Sequence, residues 1–359
     1  MPVEGTVAPR FAPVREVFDE VVTGQSGTGA AVAVWHEGQW AVDLWGGFAD
    51  GARTRPWTRD SIVMPYSVTK PFAAVCALLL ADRGVLDLDR PLADYWPEMT
   101  AQTTMRQVLA HRSGIVVLDR PAPEKAFYDW DLMCRLLCEQ EPTWEPGTAQ
   151  GESALFYGHL IGEVVRRVDG RTLGRFLEQE VSGPLGLDFT VGLAATDLDR
   201  VVELTGFGAE LRRRSENGTP LLRQALSNPP GALDPAVVNG TAWRTAEIPA
   251  INGHGTARAV AGLYVALQQG RLLSPGMLAE AVAGFGMGPD LVMGDERVWG
   301  LGFSVEPNGY GMGGVGGSFG WWSRDGEYAL AFLTGEIAGH DRGDRVENAV
   351  RSCLGLPPT

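Results

Sequence analysis

A long apolar helix constrains this fold more than any other feature of the sequence. Residues 71–81 read Pro-Phe-Ala-Ala-Val-Cys-Ala-Leu-Leu-Leu-Ala, and Gly84 closes the run. A helix that is apolar on every side must be surrounded by other elements, because it has no face suited to water. Proline fits only in a first helical turn, so Pro71 predicts a helix that starts near Ser67. The chain should therefore build a large core around this helix.

Two chemically useful side chains stand at the start of this helix. Ser67 and Lys70 are three residues apart, and this spacing places both on one helical face. A serine hydroxyl becomes a nucleophile when a neighbour takes its proton, which a lysine can do if its pKa is lowered. The positive end of the helix dipole would stabilise an alkoxide on Ser67. The spacing predicts serine-based acyl transfer, although Ser-x-x-Lys also occurs by chance.

The proline makes a helical conformation unfavourable for the residue before it. Lys70 immediately precedes Pro71, and a residue before proline is disfavoured in helical geometry. The helix start predicted near Ser67 requires Lys70 to be helical nevertheless.

Composition and charge limit the classes of partner. The chain has 359 residues, of which 45% are apolar, enough for one large domain or two. Thirty basic and 44 acidic residues give a net charge of −14, and no basic run is longer than Arg212-Arg213-Arg214. A surface for nucleic acid or for an anionic membrane is therefore not expected.

Targeting and metal signals are also missing from the sequence. The first twenty residues contain no signal-peptide core, and no run approaches 18 apolar residues, so we expect a soluble, cytoplasmic protein without membrane contact. Four cysteines are too few for a disulfide framework and should be buried free thiols. The five histidines have no metal-ligand spacing, so we expect neither a metal nor a cofactor.

Strand patterns occur at both ends of the chain and helical patterns lie between them. The patterns predict a helix over residues 10–23, a β-hairpin from Ala30 to Trp45, and helices over most of residues 71–187. Further helices are predicted from Thr256 to Gln269 and from about Arg342 to Cys353, and strands over three late runs: Trp299–Val305, Gly317–Ser323 and Tyr328–Thr334. The pattern indicates one antiparallel sheet built from both termini, with a helical region inserted.

One stretch of the chain has little periodicity. Between about Thr205 and Asn252 prolines and glycines accumulate. Such a segment forms either a cleft wall or lid, or a plain surface excursion.

Five motifs follow one another along the chain: Ser67–Pro71, Ala81–Asp89, Val108–Gly114, Trp144–Thr148 and Asn252–Arg258. Together and in this order they resemble the class C β-lactamase-related serine hydrolases, and within them the family VIII carboxylesterases. The resemblance implies an α/β (α+β) fold of the β-lactamase/transpeptidase type, an antiparallel sheet flanked by helices plus an inserted helical domain. We assign residues 1–75 and 205–359 to the sheet domain and residues 76–204 to the mostly helical domain, with the active site between them.

The chain departs from this family at the residue that shares protons with the serine and the lysine. The family has a tyrosine there, and its position falls on Glu152. A carboxylate titrates near 4.3 and a phenol near 10, so Glu152 would be charged, pair with Lys70 and act as general base. Tyr157, the only nearby phenol, is the alternative partner. Another alternative is a decayed apparatus in which Glu152 merely neutralises Lys70.

The family's third motif is also altered. It lies in Tyr310–Ser318, with Met312 where the family has a polar residue, and methionine cannot hold the carboxylate of a β-lactam. The resemblance implies that the backbone amides of Ser67 and Val315 form the oxyanion hole. We expect substrate contacts from Met312, Gly313, Gly314, Tyr157 and His254, although a structural, hydrogen-bonded histidine is the favoured interpretation of His254.

Two motifs in this region are expected to be coincidental. Gly316–Gly320 matches the Gly-x-Ser-x-Gly elbow, but a strand pattern follows where the elbow needs a helix. The glycines at 311, 313 and 316 match a dinucleotide fingerprint, again without a following helix.

The sequence thus predicts a metal-free serine enzyme acting on a small acyl substrate. Ser67 attacks a carbonyl, Lys70 and Glu152 manage the proton, and the simplest reaction is hydrolysis of a neutral ester or amide. Two alternatives remain: a transacylase that passes the acyl group to an amine or alcohol, and a non-catalytic binding protein that keeps a degenerate cleft. The sequence does not determine the oligomeric state.

Overall fold

The computed structural model describes residues 2–24, 27–208, 216–285 and 288–359. Within these residues the strands are β1 Glu4–Val7, β2 Ala30–His36, β3 Gln39–Gly46, β4 Phe189–Val191, β5 Gly253–Gly255, β6 Ser304–Glu306, β7 Gly309–Gly313, β8 Phe319–Ser323 and β9 Tyr328–Thr334. Seven of them form one antiparallel sheet in the order β1-β3-β2-β9-β8-β7-β6, and β4 pairs with β5 separately.

The helices fill the sequence between and after these strands. They are α1 Ala12–Thr23, α2 Lys70–Asp82, α3 Met105–Leu109, α4 Trp130–Cys138, α5 Tyr157–Asp169, α6 Leu173–Leu177, α7 Gly183–Leu185, α8 Pro220–Ser227, α9 Pro235–Val238, α10 Thr241–Thr245, α11 Ala257–Gln268, α12 Pro275–Ala281 and α13 Asp341–Leu354. Short 3₁₀ turns, among them Tyr66–Thr69, and a π-helical turn at Glu178–Ser182 connect some of them.

The sheet is built from both termini, as the sequence predicts. The hairpin strands β2 and β3 pair in register Val34 with Val42, and β2 also pairs with the late strand β9 through Ala33 and Ala331. Helices α1 and α13 pack against each other on one side of this sheet, and α11 packs against β2, β8 and β9. Both faces of β2 and β9 are therefore buried, which explains their continuous apolar sequences.

Helix α2 lies in the core, as its all-round apolar sequence requires. It packs against α5 and α6, and every residue from Lys70 to Leu80 is buried. The 3₁₀ turn Tyr66–Thr69 leads directly into it. Lys70 is helical, with φ −58° and ψ −43°, in spite of Pro71. Because Pro71 lies in the first turn of α2, its missing N–H leaves no helical hydrogen bond unmade.

Two expectations about the second half of the chain are corrected. Of the predicted strand Trp299–Val305, only Ser304 and Val305 lie in a strand, which runs from Ser304 to Glu306. Gly302 has φ +95°, and an added Cβ would lie 2.1 Å from that of Ala74, so the chain turns here against α2. The described parts of the segment from Thr205 to Asn252, residues 205–208 and 216–252, are less irregular than expected, because they contain α8, α9 and α10; residues 209–215 lie outside the described residues.

Other features of the chain agree with the sequence or remain open. Cys76, Cys134 and Cys138 are buried free thiols and Cys353 is half-buried. Among the described residues, no helix has the length and apolar character that crossing a bilayer requires. The division into a sheet domain and a helical domain stays a prediction.

Candidate active site

Ser67 lies in the tight turn that precedes α2. The residue before it, Tyr66, has φ +49°, a left-handed conformation that is uncommon for a bulky residue. Tyr66 is held there by burial and by its hydroxyl, which donates to the carbonyl of Ala232 at 3.1 Å. The turn contacts β5 and β7, so the start of α2 is fixed against both sheets.

Three side chains converge at this turn. Lys70 Nζ donates to Ser67 Oγ at 2.7 Å and lies 3.0 Å from Glu152 Oε1. Ser67 Oγ in turn donates to the same Glu152 oxygen at 3.3 Å. The structure therefore brings together the three residues that the sequence singled out, although 85 residues separate Ser67 from Glu152.

Lys70 is surrounded by hydrogen-bond acceptors. Besides Ser67 and Glu152, its amine donates to the carbonyls of Ala154 at 3.0 Å and Ala250 at 3.4 Å. Carbonyl oxygens can only accept, so this arrangement suits an ammonium with three N–H donors. It also leaves the Ser67 hydroxyl free to donate its own hydrogen to Glu152.

Burial and charge act in opposite directions on this pair. Burial lowers the pKa of Lys70, and the neighbouring Glu152 carboxylate offsets this only in part. Burial by itself would raise the pKa of Glu152, but charge interactions, that with Lys70 first, and the Lys70 hydrogen bond hold the pKa below its usual value. Glu152 is thus a carboxylate at neutral pH.

The segment that carries Glu152 is fixed by His111. Gly151 N–H donates to the His111 carbonyl at 2.9 Å, and Ser153 N–H donates to its Nδ1 at 3.2 Å. An Nδ1 that accepts a hydrogen bond carries no proton, and burial lowers the pKa of His111 to about 3. His111 is a neutral support for this segment, not a proton carrier.

The glycine-rich end of β7 lies against the turn that holds Ser67. A Cβ added to Gly314 would be 2.1 Å from the Pro65 carbonyl oxygen and 3.4 Å from the Ser67 nitrogen. Only glycine allows this approach, and Val315, the next residue, lines the same cavity as Ser67. Within the described residues, neither the Ser67 nor the Val315 amide donates a hydrogen bond to another protein group. Both amides are thus available for a substrate oxygen.

A cavity of about 820 Å³ opens onto Ser67 and Glu152. The sequence-predicted contact residues Met312, Gly313 and Gly314, together with Val315, line it. Much of the remaining wall is apolar, with contributions from Leu222, Leu226, Leu233, Ile251, Phe319 and Ile337.

Two predicted substrate contacts are not found in this cavity. Tyr157 is fully buried on α5 and donates its hydroxyl to the Leu109 carbonyl at 3.1 Å. His254 lies in β5 opposite Thr190, 1% exposed, and burial lowers its pKa to about 3. Neither residue lines the cavity, so their expected contact with substrate is corrected. Both positions are set by core packing, which a single sequence does not distinguish from a cleft.

Sequence reasoning missed the loop on the other side of Glu152. Met293, Asp295 and Arg297 line the cavity, and Asp290 accepts a hydrogen bond from the Glu152 backbone. Asp290 follows Gly288-Pro289, a plain turn signal, and nothing in the sequence relates it to a residue 138 positions earlier.

Ser318, the serine of the coincidental elbow motif, is engaged elsewhere. Its buried Oγ accepts a hydrogen bond from Thr334 N–H at 3.0 Å, and β8 follows it directly. A strand follows Ser318, as the sequence predicts, and that Ser318 is not the nucleophile stays a prediction.

The site contains a serine at a helix start, a buried lysine and a glycine-rich strand edge. A comparison of the whole chain with known protein families agrees with this arrangement. Residues 14–349 match the model of the family described as Beta-lactamase. The chain belongs to this family. The β-lactamase/transpeptidase-like fold expected from the sequence is therefore confirmed.

Individual relatives cover nearly the whole chain. Esterase/beta-lactamase LipL of Mycobacterium tuberculosis is 33% identical, over 91% of this chain and 81% of its own length. The crystal structure of a family VIII carboxylesterase superposes with a TM-score of 0.89 at 34% identity, over 98% of this chain and 100% of the other. A penicillin-binding protein homologue from Caulobacter crescentus gives 0.87 at 33% identity, with the same coverage.

Proposed function

We propose that this protein is a serine hydrolase that cleaves neutral carboxylic esters through an acyl-Ser67 intermediate. The observation that carries the proposal is the contact of Ser67 Oγ with both Lys70 Nζ at 2.7 Å and Glu152 Oε1 at 3.3 Å. The relatives named as esterases support the reaction class. Met312 and the apolar residues of the cavity wall support a substrate without a negative charge.

Acylation follows from this geometry. Glu152 takes the proton of Ser67 as Oγ bonds to the substrate carbonyl carbon. Lys70, as an ammonium beside both groups, stabilises the negative charge at Ser67 Oγ as it forms. The amides of Ser67 and Val315 hold the carbonyl oxygen as it becomes an oxyanion.

Breakdown of the intermediate uses the same carboxyl group. Protonated Glu152 gives its proton to the departing alkoxide, which leaves as the alcohol. Glu152 then takes a proton from water as that water attacks the acyl-serine, and the proton returns to Ser67 Oγ when the carboxylic acid leaves. A carboxylate whose pKa is lowered is a weak base, so we propose esters rather than the less reactive amides as substrates.

Covalent trapping tests the proposal. Intact mass spectrometry should show one covalently bound fluorophosphonate group on the wild-type protein and none on Ser67→Ala. Ser318→Ala is the matched control and should still react. An unmodified wild-type protein would support the non-catalytic binding protein instead.

A further inference from the structure

Asp290 contacts the backbone of Glu152 and is completely buried. Its Oδ2 accepts hydrogen bonds from the Glu152 backbone N–H and the Trp299 indole N–H, both at 2.9 Å. Its Oδ1 accepts from the backbone N–H groups of Val292 at 2.9 Å and Met293 at 2.7 Å. Four donors thus converge on one carboxylate, an arrangement that fixes its orientation.

The hydrogen bond from the Glu152 N–H to Asp290 fixes the position of the Glu152 backbone. A glutamate is shorter than the tyrosine that the sequence resemblance places here, so its carboxylate reaches Ser67 only if its backbone lies close by. The two contacts of Glu152 Oε1, 3.0 Å to Lys70 and 3.3 Å to Ser67, leave little room for displacement. Fixing the Glu152 backbone therefore fixes the distance over which the proton moves.

The same carboxylate also shapes the adjoining cavity wall. Its contacts with Val292 and Met293 fold the turn from which Met293, Asp295 and Arg297 reach the cavity. The Gln150 side chain also joins the Glu152 segment to this wall, because its amide donates at 2.8 Å to the carbonyls of both Gly288 and Arg297. The wall and the Glu152 segment are therefore held as one unit.

We propose that Asp290 is a positioning residue for acyl transfer, which holds the Glu152 carboxylate within reach of Ser67 and joins it to the cavity wall at 293–297. This inference rests on the proposed role of Glu152 as the base. It assigns Asp290 no contact with substrate and no proton transfer.

The variant Asp290→Asn tests this role with almost no change in shape. An asparagine that keeps its oxygen toward Val292 and Met293 presents an NH₂ to the Glu152 N–H, and two donors cannot bond each other. A displacement of about 1 Å at a reacting group costs about 100-fold in rate. We expect kcat for a p-nitrophenyl ester to fall by about that factor with little change in KM. Asp129→Asn makes the same chemical change at a carboxylate that accepts a backbone N–H at the start of α4, outside this site, and is the matched control; it should stay near wild type.

A double-mutant cycle separates positioning from a general loss of structure. If Asp290 acts through Glu152, adding Asp290→Asn to Glu152→Gln should cause no further loss of kcat. Losses that multiply, or wild-type kcat in Asp290→Asn alone, would overturn the inference. Full activity of Glu152→Gln alone would instead overturn the proposed base, so the two failures are distinguishable.

Hydrogen exchange of the wild-type protein covers the case in which Asp290→Asn does not fold. The Glu152 amide should be among the slowly exchanging amides, because its N–H is bonded to a completely buried carboxylate. Fast exchange at Glu152 would contradict the inference independently of any variant.

Discussion

Replacing Gly314 by alanine should disable the oxyanion hole, and the neighbouring Gly313 provides a matched control. A Cβ at position 314 would lie 2.1 Å from the Pro65 carbonyl oxygen, whereas one at position 313 would meet only the His340 ring, at 3.2 Å. Real Cβ contacts are not shorter than about 3 Å, so the strand edge or the Ser67 turn must move by about 1 Å in Gly314→Ala.

This movement would separate the backbone amides of Ser67 and Val315, and the resulting loss of kcat can be estimated from the loss of one oxyanion donor. Losing one oxyanion donor costs about 100- to 1,000-fold in kcat, or about 3–4 kcal/mol of transition-state stabilisation. We expect a loss of this size in Gly314→Ala and a loss below tenfold in Gly313→Ala, because a side-chain ring can give way by a few tenths of an ångström.

The assay is steady-state hydrolysis of p-nitrophenyl butyrate, with the melting temperature of each variant measured in parallel. A folded Gly314→Ala that hydrolyses the ester as fast as wild type would refute the placement of the Val315 amide at the reacting oxygen. Equal losses in both variants would refute the specific role of the close approach at Gly314.

Three further predictions concern pH, stability and the fate of the acyl group. The pKa of Glu152 is lowered from 4.5, so kcat/KM should fall as the pH drops through a value below 4.5. The pKa of Lys70 is lowered from 10.5, so kcat/KM should also fall as the pH rises through a value below 10.5. A change of kcat/KM near pH 7 that stays at the same pH in variants of Glu152 and of Lys70 would contradict this. The pKa of Glu163 is lowered to about 2: burial opposes this shift, and hydrogen bonds from Arg166, Trp130 and Arg167 outweigh it. Its charge therefore stabilises the fold above the unfolded-state pKa of about 4.3, and the contribution is lost as pH falls toward 2, so Glu163→Gln should cost at most about 3 kcal/mol in urea unfolding at pH 7 and clearly less at pH 3. An equal cost at both pH values would contradict the ion-pair explanation. Added methanol or a primary amine should leave the free carboxylic acid as the main product, whereas ester or amide formation as the main path would favour the transacylase.

Much of the fold can be predicted because the informative patterns are local. The hairpin β2–β3, strand β9 and helices α2 and α11 each carry their own apolar pattern and turn or proline signal, and the structure has them within a residue or two of the prediction, except that α2 begins at Lys70, after a 3₁₀ turn at the start predicted near Ser67. The helices α8 and α9 could also have been found. Each begins with a capping residue followed by proline, Thr219-Pro220 and Asp234-Pro235.

The proximity of Ser67 and Lys70 was predictable for the same reason, and the environment of Glu152 was not. Ser67 and Lys70 are related by helical spacing, which a sequence displays directly. The contact of Glu152 with Asp290 joins residues 138 positions apart and depends on how the chain crosses itself. Whether Tyr157 and His254 face a cleft or the core likewise depends on packing among several elements, so their burial could not be read from their neighbours in sequence.

The central claim is that Glu152, not Tyr157, takes the proton of Ser67, and rapid-mixing acylation tests it most directly. The burst of p-nitrophenol release should be measured for wild type, Glu152→Gln and Tyr157→Phe in the same experiment. Loss of a general base costs about 100- to 10,000-fold, so the account predicts a burst slowed by that factor in Glu152→Gln. Tyr157→Phe removes only the bond to Leu109 and should keep a nearly normal burst. A normal burst in Glu152→Gln with a lost one in Tyr157→Phe would contradict the account.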